Sequence, residues 1–142
     1  MKIEIATKVN QDYKSVWAGF DEDLFTALKP PPIIPFKLLR FDGSNEGDEV
    51  HVSVAGQIWH AKIVEQTETE SEIYFVDVGS KLPAPLKSWR HKHRMLRNVD
   101  GTCTIIDDIE YSTGKKWLDK LIYPVMYQQF AARQPVYRRY FA

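Results

Sequence analysis

The side chains best suited to chemistry lie on one predicted strand, within residues 88–95. Its alternation places one set of side chains on a single face: Trp89, His91, His93 and Met95. The opposite face carries three cations: Arg90, Lys92 and Arg94. Because cations favour contact with water, the face with the two histidines is predicted to point inward.

The loop after this strand determines which residues of the next strand lie opposite it. Val99-Asp100-Gly101 suits a three-residue hairpin loop that ends in a left-handed residue, a conformation that glycine adopts without strain. Closing the loop with Asn98 opposite Thr102 makes inward residues meet inward residues, which a slip by one residue would spoil. The predicted pairs are Trp89 with Tyr111, His91 with Ile109, His93 with Asp107, Met95 with Ile105, and Arg97 with Cys103.

This register places His93 beside Asp107 on the inner face. A carboxylate next to an imidazole keeps it protonated or fixes its tautomer. The two residues could form a satisfied polar contact at one end of a core, anchor a polar group of a ligand, or act as an acid–base pair. If the protein is an enzyme, His93 and Asp107 are the candidate catalytic residues.

Two imidazoles on one strand face also raise the question of a metal. His91, His93 and Asp107 could in principle bind zinc or iron as two histidines and one carboxylate. Metal sites commonly have a further ligand at a recognisable spacing, and no other residue in the sequence clearly offers one. The sequence therefore predicts no metal and no other cofactor. G-x-G-x-x-G, P-loop, H-E-x-x-H and G-x-S-x-G motifs do not occur.

The other histidines and the cysteine are not predicted to do chemistry. His51 and His60 lie on separate predicted strands and are interpreted as structural or surface residues. Cys103 has no obvious activating partner at the loop end of its strand, so a buried, inert thiol is expected.

Seven segments have the character of strands. Residues 2–9 place Ile3, Ile5, Thr7 and Val9 on one face. The others are separated by turn residues, which indicates an antiparallel meander: 36–41, 48–55, 57–66, 72–78, 88–97 and 102–111.

The remaining segments are predicted to be helices. Asn10 or Asp12 can cap one short helix after the first strand, and Asp21 or Asp23 a second, before the stiff connection Pro30-Pro31-Pro32. Beyond Thr113-Gly114 the apolar spacing predicts a long helix to the end of the sequence. Two prolines inside that stripe, Pro124 and Pro135, predict that the helix bends or restarts at each.

Length and composition limit the functional classes. A chain of 142 residues fits a single domain over residues 1–142. Its 19 Lys and Arg residues balance its 19 Asp and Glu residues, which argues against nucleic acid or an anionic membrane as the main partner. The single cysteine favours a reducing compartment, and no segment resembles a secretion signal or a membrane span. We therefore expect a cytoplasmic protein without stable membrane insertion, and leave a homodimer open.

The aromatic content of 13% indicates either a tightly filled core or a pocket lined by rings. The long C-terminal helix is the natural cover for the apolar face of the sheet, so we expect an α+β fold in which a curved antiparallel sheet wraps around it. An apolar cavity would then lie between sheet and helix. The predicted ligand-binding residues are Trp59, Phe75, Trp89, His91, His93, Met95, Asp107, Tyr111, Met126 and Phe130.

Five stretches carry a resemblance to a known family: 23–31 (DLFTALKPP), 56–59 (GQIW), 75–77 (FVD), 89–94 (WRHKHR) and 107–111 (DDIEY). Together with the order of elements they resemble the START/SRPBCC superfamily, which includes Bet v 1-like allergens and polyketide cyclase/dehydratase-like proteins. The similarity is greatest to its small bacterial ligand-binding branch. The resemblance implies a helix-grip fold, with a cavity beside the Trp-x-His-x-His strand and the aspartate of the next strand.

Three functions follow as hypotheses. The leading one is a binding module for a small hydrophobic molecule such as a lipid, a quinone or a polyketide, oriented by His93 and Asp107. The alternative is a cyclase/dehydratase-like enzyme in which His93, oriented by Asp107, transfers a proton. The third is a structural or interaction protein without a pocket.

Overall fold

The alternation of the first residues produces the predicted strand in the computed structural model, which describes residues 1–142. β1 (Lys2–Val9) buries Ile3, Ile5, Thr7 and Val9 and exposes the residues between them. Two short helices follow as expected, α1 (Tyr13–Ala18) and α2 (Glu22–Ala27).

Aspartates begin both short helices. The carboxylate of Asp12 accepts hydrogen bonds from the N–H groups of Lys14 and Ser15 at the start of α1, and that of Asp21 accepts one from Leu24 at the start of α2. Each satisfies helix donors that would otherwise lack a partner. Of the alternatives in the sequence, these two are the caps.

Six further strands complete one antiparallel sheet: β2 (Phe36–Phe41), β3 (Glu49–Val54), β4 (Gln57–Glu68), β5 (Glu72–Lys81), β6 (Ser88–Arg97) and β7 (Cys103–Ser112). Its strand order is β1-β7-β6-β5-β4-β3-β2. The predicted meander from β2 to β7 is confirmed. β1 pairs with β7, so α1 and α2 carry the chain from one edge of the sheet to the other.

The predicted register between β6 and β7 is also confirmed. The Asn98 N–H donates to the Thr102 carbonyl at 3.0 Å, and Gly101 adopts a φ of 85° at the end of the loop. His93 lies opposite Asp107, and Trp89 opposite Tyr111. The turn and the alternating burial together fix this register.

The C-terminal helix has one break, and it does not fall at a proline. α3 (Lys116–Ala131) contains Pro124, and α4 (Arg133–Tyr140) contains Pro135 within its first turn. Ala132 separates the two helices. A proline cannot donate a hydrogen bond four residues back, but the first turn of a helix needs no such bond. The chain therefore restarts just before Pro135, whereas α3 continues through Pro124 without a restart.

The helices cover only part of the sheet. α1 lies against β5, β6 and β7, while α3 and α4 lie against β1 and β7. Two apolar clusters result, one that includes Phe75, Met95 and Tyr137 and one that includes Trp89 and Phe130. Inward residues of β2, β3 and β4 border open space instead. None of the helices is both long and apolar enough to cross a bilayer.

Candidate functional site

The inward face of β6 changes from apolar to polar and back along its length. Trp89 belongs to one apolar cluster and Met95 to the other. His91 and His93 lie between them, 3% and 8% exposed. Because buried polar groups need partners, these two imidazoles require donors or acceptors from the neighbouring strands.

Each histidine finds a carboxylate, and the two pairs cross. His93 Nε2 donates to Asp77 Oδ2 on β5 at 2.6 Å, and His91 Nε2 donates to Asp107 Oδ1 on β7 at 2.8 Å. In the backbone register Asp77 lies opposite His91 and Asp107 opposite His93, so both hydrogen bonds run diagonally. Long side chains on adjacent strands reach such diagonal neighbours.

The predicted contact between His93 and Asp107 is therefore corrected. These two residues face each other across the ladder, but Nδ1 of His93 lies 4.0 Å from Asp107 Oδ1, beyond hydrogen-bond distance. Asp107 is used by His91, and His93 turns to Asp77. The site thus contains two histidine–aspartate pairs.

Ring stacking fixes the orientation of both imidazoles. The His91 and His93 ring centroids are 3.6 Å apart at an interplanar angle of 24°. Phe75 stacks on the other side of His93 at 4.1 Å and 9°. Phe130 meets His91 edge-on at 5.4 Å. Neither imidazole can rotate without displacing a neighbouring ring.

Burial and hydrogen bonding act in opposite directions on the carboxylates. Burial raises the pKa of Asp77, but the hydrogen bonds from His93 and Trp89 and the charges of the two nearby imidazoles together outweigh it, and the pKa lies below its usual value. The pKa of Asp107 is likewise below its usual value, because the hydrogen bond from His91 and the nearby charges of His91, Arg133 and His93 together outweigh burial. Both side chains are thus carboxylates at neutral pH.

His93 shows the opposite balance. Burial and the nearby His91 lower its pKa to about 4, although the hydrogen bond to Asp77 favours the charged form. His93 is therefore neutral at pH 7. Since a carboxylate can only accept, its proton lies on Nε2, and Nδ1 carries a lone pair. That Nδ1 atom is buried and has no hydrogen-bond partner.

A cation and a phenol surround Asp107. Arg133 Nη1 lies 3.8 Å from Asp107 Oδ1, and the guanidinium lies over the Phe130 ring at 4.6 Å from its centroid. The Tyr137 hydroxyl donates to the same oxygen at 3.5 Å. Asp77 has a different environment: its second oxygen accepts only from the neutral indole of Trp89, at 3.2 Å.

Asp77, His91, His93 and Arg133 border a cavity of about 720 Å³ with 33 lining residues, of which 20 are hydrophobic. The space opens between α2 with its following loop, the inner side of β2 to β4, and the C-terminal helices. The apolar lining includes Phe20, Leu24, Phe25, Leu28, Ile34, Phe36, Phe41, Val50, Val52, Val54, Trp59, Ile63, Phe75, Trp89, Val125, Phe130 and Val136. Asp77, His91 and His93 are its buried polar residues.

Six of the ten predicted ligand-binding residues line this cavity: Trp59, Phe75, Trp89, His91, His93 and Phe130. The other four lie outside this lining. Met95 and Tyr111 are in the apolar clusters on either side, and Met126 packs against the cluster that contains Tyr111. Asp107 is 1% exposed and contacts the cavity residues His91 and Arg133 rather than the cavity.

The sequence analysis did not identify two members of the site. Asp77 lies two residues after Phe75 on a predicted strand, and that alternation was the signal for an inward side chain. Arg133 lies three residues after Phe130, and that spacing was the signal that both belong to one helical face.

The remaining candidates behave as interpreted. His51 and His60 stack on each other at 3.6 Å on β3 and β4, and His51 contacts Glu49 at 3.1 Å. Cys103 is fully buried, and burial raises the pKa of its thiol to about 12.

One group of side chains could hold a metal ion. Asp77, His91 and His93 each offer one ligand atom, and these atoms lie within 4.8 Å of one another. All three side chains are buried. The set differs from the one considered in the sequence, because Asp77 takes the place of Asp107.

A sheet wrapped on a C-terminal helix with a cavity between them defines the helix-grip class. No protein-family model matches this chain, and no curated protein sequence does. Solved structures do. A Thermobifida fusca protein studied by NMR in solution matches with a TM-score of 0.69 and 16% identity, over 98% of this chain and 92% of its own.

Two further solved structures with similar folds carry names. Ara h 8.0201 matches with a TM-score of 0.58 and 13% identity over 96% of both chains. Norcoclaurine synthase from Thalictrum flavum, in complex with dopamine and hydroxybenzaldehyde, matches with a TM-score of 0.61 and 13% identity, over 88% of this chain and 76% of its own. The chain has the Bet v 1-like helix-grip fold. At these identities the likeness establishes the fold alone.

Proposed function

We propose that the protein binds a small, largely apolar molecule of the lipid, quinone or polyketide type in the cavity between the sheet and the C-terminal helices. The observation that carries this proposal is an apolar lining interrupted by a single buried polar group of residues, Asp77, His91 and His93. The lining residues would contribute apolar burial, and the polar residues would orient one end of the ligand.

The size of the cavity supports a molecule with one or a few rings. Ligand pockets commonly measure about 300 to 1,000 Å³, and the value of about 720 Å³ lies inside that range. Each apolar Å² removed from water contributes roughly 25 cal/mol, so an apolar molecule would bind without any catalytic apparatus. Rings at the edge of the site, such as Trp59 and Phe20, supply flat surfaces for stacking.

The test is direct titration of the full chain, by calorimetry and native mass spectrometry, with a long-chain fatty acid, a naphthoquinone and an anthraquinone. At least one is expected to bind with a stoichiometry of one per chain. Val52→Phe would fill the cavity from β3, whereas Val64→Phe adds the same bulk to an exposed position on β4. Binding is expected to weaken at least tenfold in the first variant and to stay unchanged in the second.

Saturation by none of the three probes would contradict the proposal. Equal binding by the two variants would contradict it too, because the ligand would then lie outside the cavity. Circular dichroism of each variant shows whether a loss of binding reflects a loss of fold.

The second candidate function is a cyclase/dehydratase-like enzyme, and the crossed pairs favour it specifically. Each cavity-lining imidazole is oriented by its own carboxylate, as a general base requires. The occurrence of an enzyme, norcoclaurine synthase, among the structures with this fold supports catalysis at the level of the fold only. Here His91 with Asp107, and His93 with Asp77, would each be able to move a proton on a bound carbonyl compound.

The enzymatic proposal is tested by proton exchange. A bicyclic ketone such as 2-tetralone is incubated with the protein in D₂O, and NMR follows the exchange of hydrogens next to its carbonyl. The chain is expected to accelerate this exchange, and His91→Gln or His93→Gln to abolish the acceleration while the ketone still binds. Exchange at the uncatalysed rate, with the ketone bound, would eliminate this second function and leave the first intact.

A further inference from the structure

We propose that Asp77, His91 and His93 form a binding site for one divalent first-row transition-metal ion, of the zinc type, in the wall of the cavity. These are the residues that would also orient the proposed apolar ligand, but binding of the ion does not require that ligand. Three independent features of the structure point to it: the convergence of ligand atoms, the arrangement of the outer carboxylate, and a buried nitrogen without a partner.

The ligand atoms are already close. One atom each from Asp77, His91 and His93 lies within 4.8 Å of the others. Zinc–nitrogen and zinc–oxygen bonds measure about 2.0 to 2.2 Å, so ligand atoms around a tetrahedral ion are about 3.4 Å apart. A spacing of 4.8 Å would have to shorten by about 1.4 Å. The 2.6 Å between His93 Nε2 and Asp77 Oδ2 would have to lengthen to admit the ion. Two imidazoles and one carboxylate favour zinc, cobalt or iron over magnesium or calcium, which take oxygen ligands.

Asp107 is placed as an outer carboxylate. Metal-binding histidines commonly donate their second N–H to a carboxylate, which fixes the tautomer and the orientation of the ring. His91 does this in the structure, because its Nε2 donates to Asp107 Oδ1 at 2.8 Å. That hydrogen bond is the only one the His91 ring makes, so Nδ1 is free for an ion.

His93 Nδ1 supplies the third observation. It is buried, it has no hydrogen-bond partner, and it lies 4.0 Å from Asp107 Oδ1. An ion between His93 Nε2 and Asp77 would displace the proton now on Nε2, and that proton would move to Nδ1. Nδ1–H could then donate to Asp107. Both histidines would thus share Asp107 as their outer carboxylate, and the unpaired nitrogen would gain a partner.

The local charge agrees with a cation at this point. Arg133 lies nearer to Asp107 than to Asp77, whose hydrogen-bond donors are the Trp89 indole and the His93 imidazole. A buried carboxylate is costly unless hydrogen bonds and positive charge offset it. A divalent ion would add positive charge next to Asp77.

The experiment uses the full chain after treatment with a chelator, titrated at pH 7 with Co²⁺ and then Zn²⁺. One Co²⁺ per chain is expected, with the visible absorption of a four- or five-coordinate ion, and Zn²⁺ should displace it. Asp77→Asn is expected to weaken binding at least tenfold. The matched control is the other stacked histidine pair: His60→Gln should leave the affinity unchanged.

Nitrogen-15 NMR of the four imidazoles in the unmodified chain gives a readout that needs no variant. Zinc is expected to shift His91 and His93 and to leave His51 and His60 unperturbed. The absence of bound Co²⁺, or binding that survives Asp77→Asn and disappears in His60→Gln, would overturn the proposal.

Discussion

His93 and Asp107 lie directly opposite each other in the β6–β7 ladder, yet each forms its hydrogen bond with a residue two positions away from its own opposite number on a neighbouring strand: His93 with Asp77, and Asp107 with His91. The crossing links three strands, because Asp77 is on β5 and Asp107 on β7. It also brings the two imidazole rings into a stack with centroids 3.6 Å apart. The polar centre of the molecule is thus one connected unit.

The crossed hydrogen bonds make Asp77 a structural residue as well as a site residue. Asp77→Asn replaces the carboxylate bonded to His93 by an amide, which accepts more weakly. Loss of a buried hydrogen bond to a charged group costs about 1.5 to 3 kcal/mol, so the free energy of unfolding is expected to fall by roughly that amount. Urea denaturation followed by circular dichroism measures it.

Asp108→Asn on the outer face of β7 is the control for this variant, since its neighbour across the ladder, Lys92, is not buried. Its effect is expected to stay within about 0.5 kcal/mol. If Asp77→Asn and Asp108→Asn lower the free energy of unfolding equally, the hydrogen bond between His93 and Asp77 contributes no more to stability than an exposed contact does.

The neutral state of His93 predicts a loss of stability in mild acid. The pKa of His93 is about 4 in the folded chain and near its ordinary value of 6.5 when unfolded. Between these two values the unfolded chain binds a proton that the folded chain does not. Stability is therefore expected to fall as the pH drops from 6.5 to 4, by at most about 1.4 kcal/mol per pH unit from this residue.

The measurement is the urea midpoint of the unmodified chain and of His93→Gln at several pH values across this range. The variant should lose part of the slope, because glutamine does not titrate. Parallel profiles for the two chains would show that folding does not lower the pKa of His93. A stability that rises as the pH falls, in the unmodified chain alone, would show that the folded protein favours the charged form of His93.

The sequence was sufficient to predict which site residues lie opposite each other where a short turn connects the two strands. The loop that ends in Gly101 has three residues, so its geometry fixes the pairing of β6 with β7, and His93 was placed opposite Asp107 correctly. The connection between β5 and β6 runs from Leu82 to Lys87 and contains two prolines. A loop of that kind does not define a register, and Asp77 could not be assigned to a partner.

Two other features depended on tertiary packing. The crossing of the hydrogen bonds depends on the side-chain rotamers of the two histidines, which ring stacking such as that of Phe75 on His93 favours. No spacing in the sequence encodes these rotamers. The position of β1 beside β7 was equally absent from the local patterns. By contrast, the helix-grip order of elements followed from alternation, caps and turns, because these signals are local.

The burial of the Cys103 thiol predicts that this thiol reacts with reagents only when the chain unfolds. Cys103 is fully buried, and burial raises the pKa of its thiol to about 12, so little thiolate exists at pH 8 and reagents cannot reach it. The folded chain is expected not to react with Ellman's reagent. In urea, the reacting fraction should follow the unfolding curve measured by circular dichroism. Rapid stoichiometric reaction without urea would show that the cluster around Cys103 opens in the native state.

A last prediction concerns the contact that joins α3 to β7. Asp119 Oδ1 accepts from both the N–H and the hydroxyl of Thr113 at 2.7 Å, and the Tyr111 hydroxyl donates to the Asp119 carbonyl at 2.8 Å. The residue before α3, Lys115, provides no side-chain cap. Asp119 therefore stabilises the first turn of the helix that borders the cavity, and its negative charge suits that end of the helix dipole.

Asp119→Ala and Thr113→Val are each expected to lower the urea midpoint, and the double variant to lose little more than either single variant, since both remove the same contact. The hydrogen bonds from Thr113 lower the pKa of Asp119, so its contribution should disappear as the pH falls through that lowered value. Asp119→Ala should accordingly show a weaker dependence on acid than the unmodified chain. Additive losses in the double variant would show instead that Asp119 and Thr113 stabilise the fold through separate contacts.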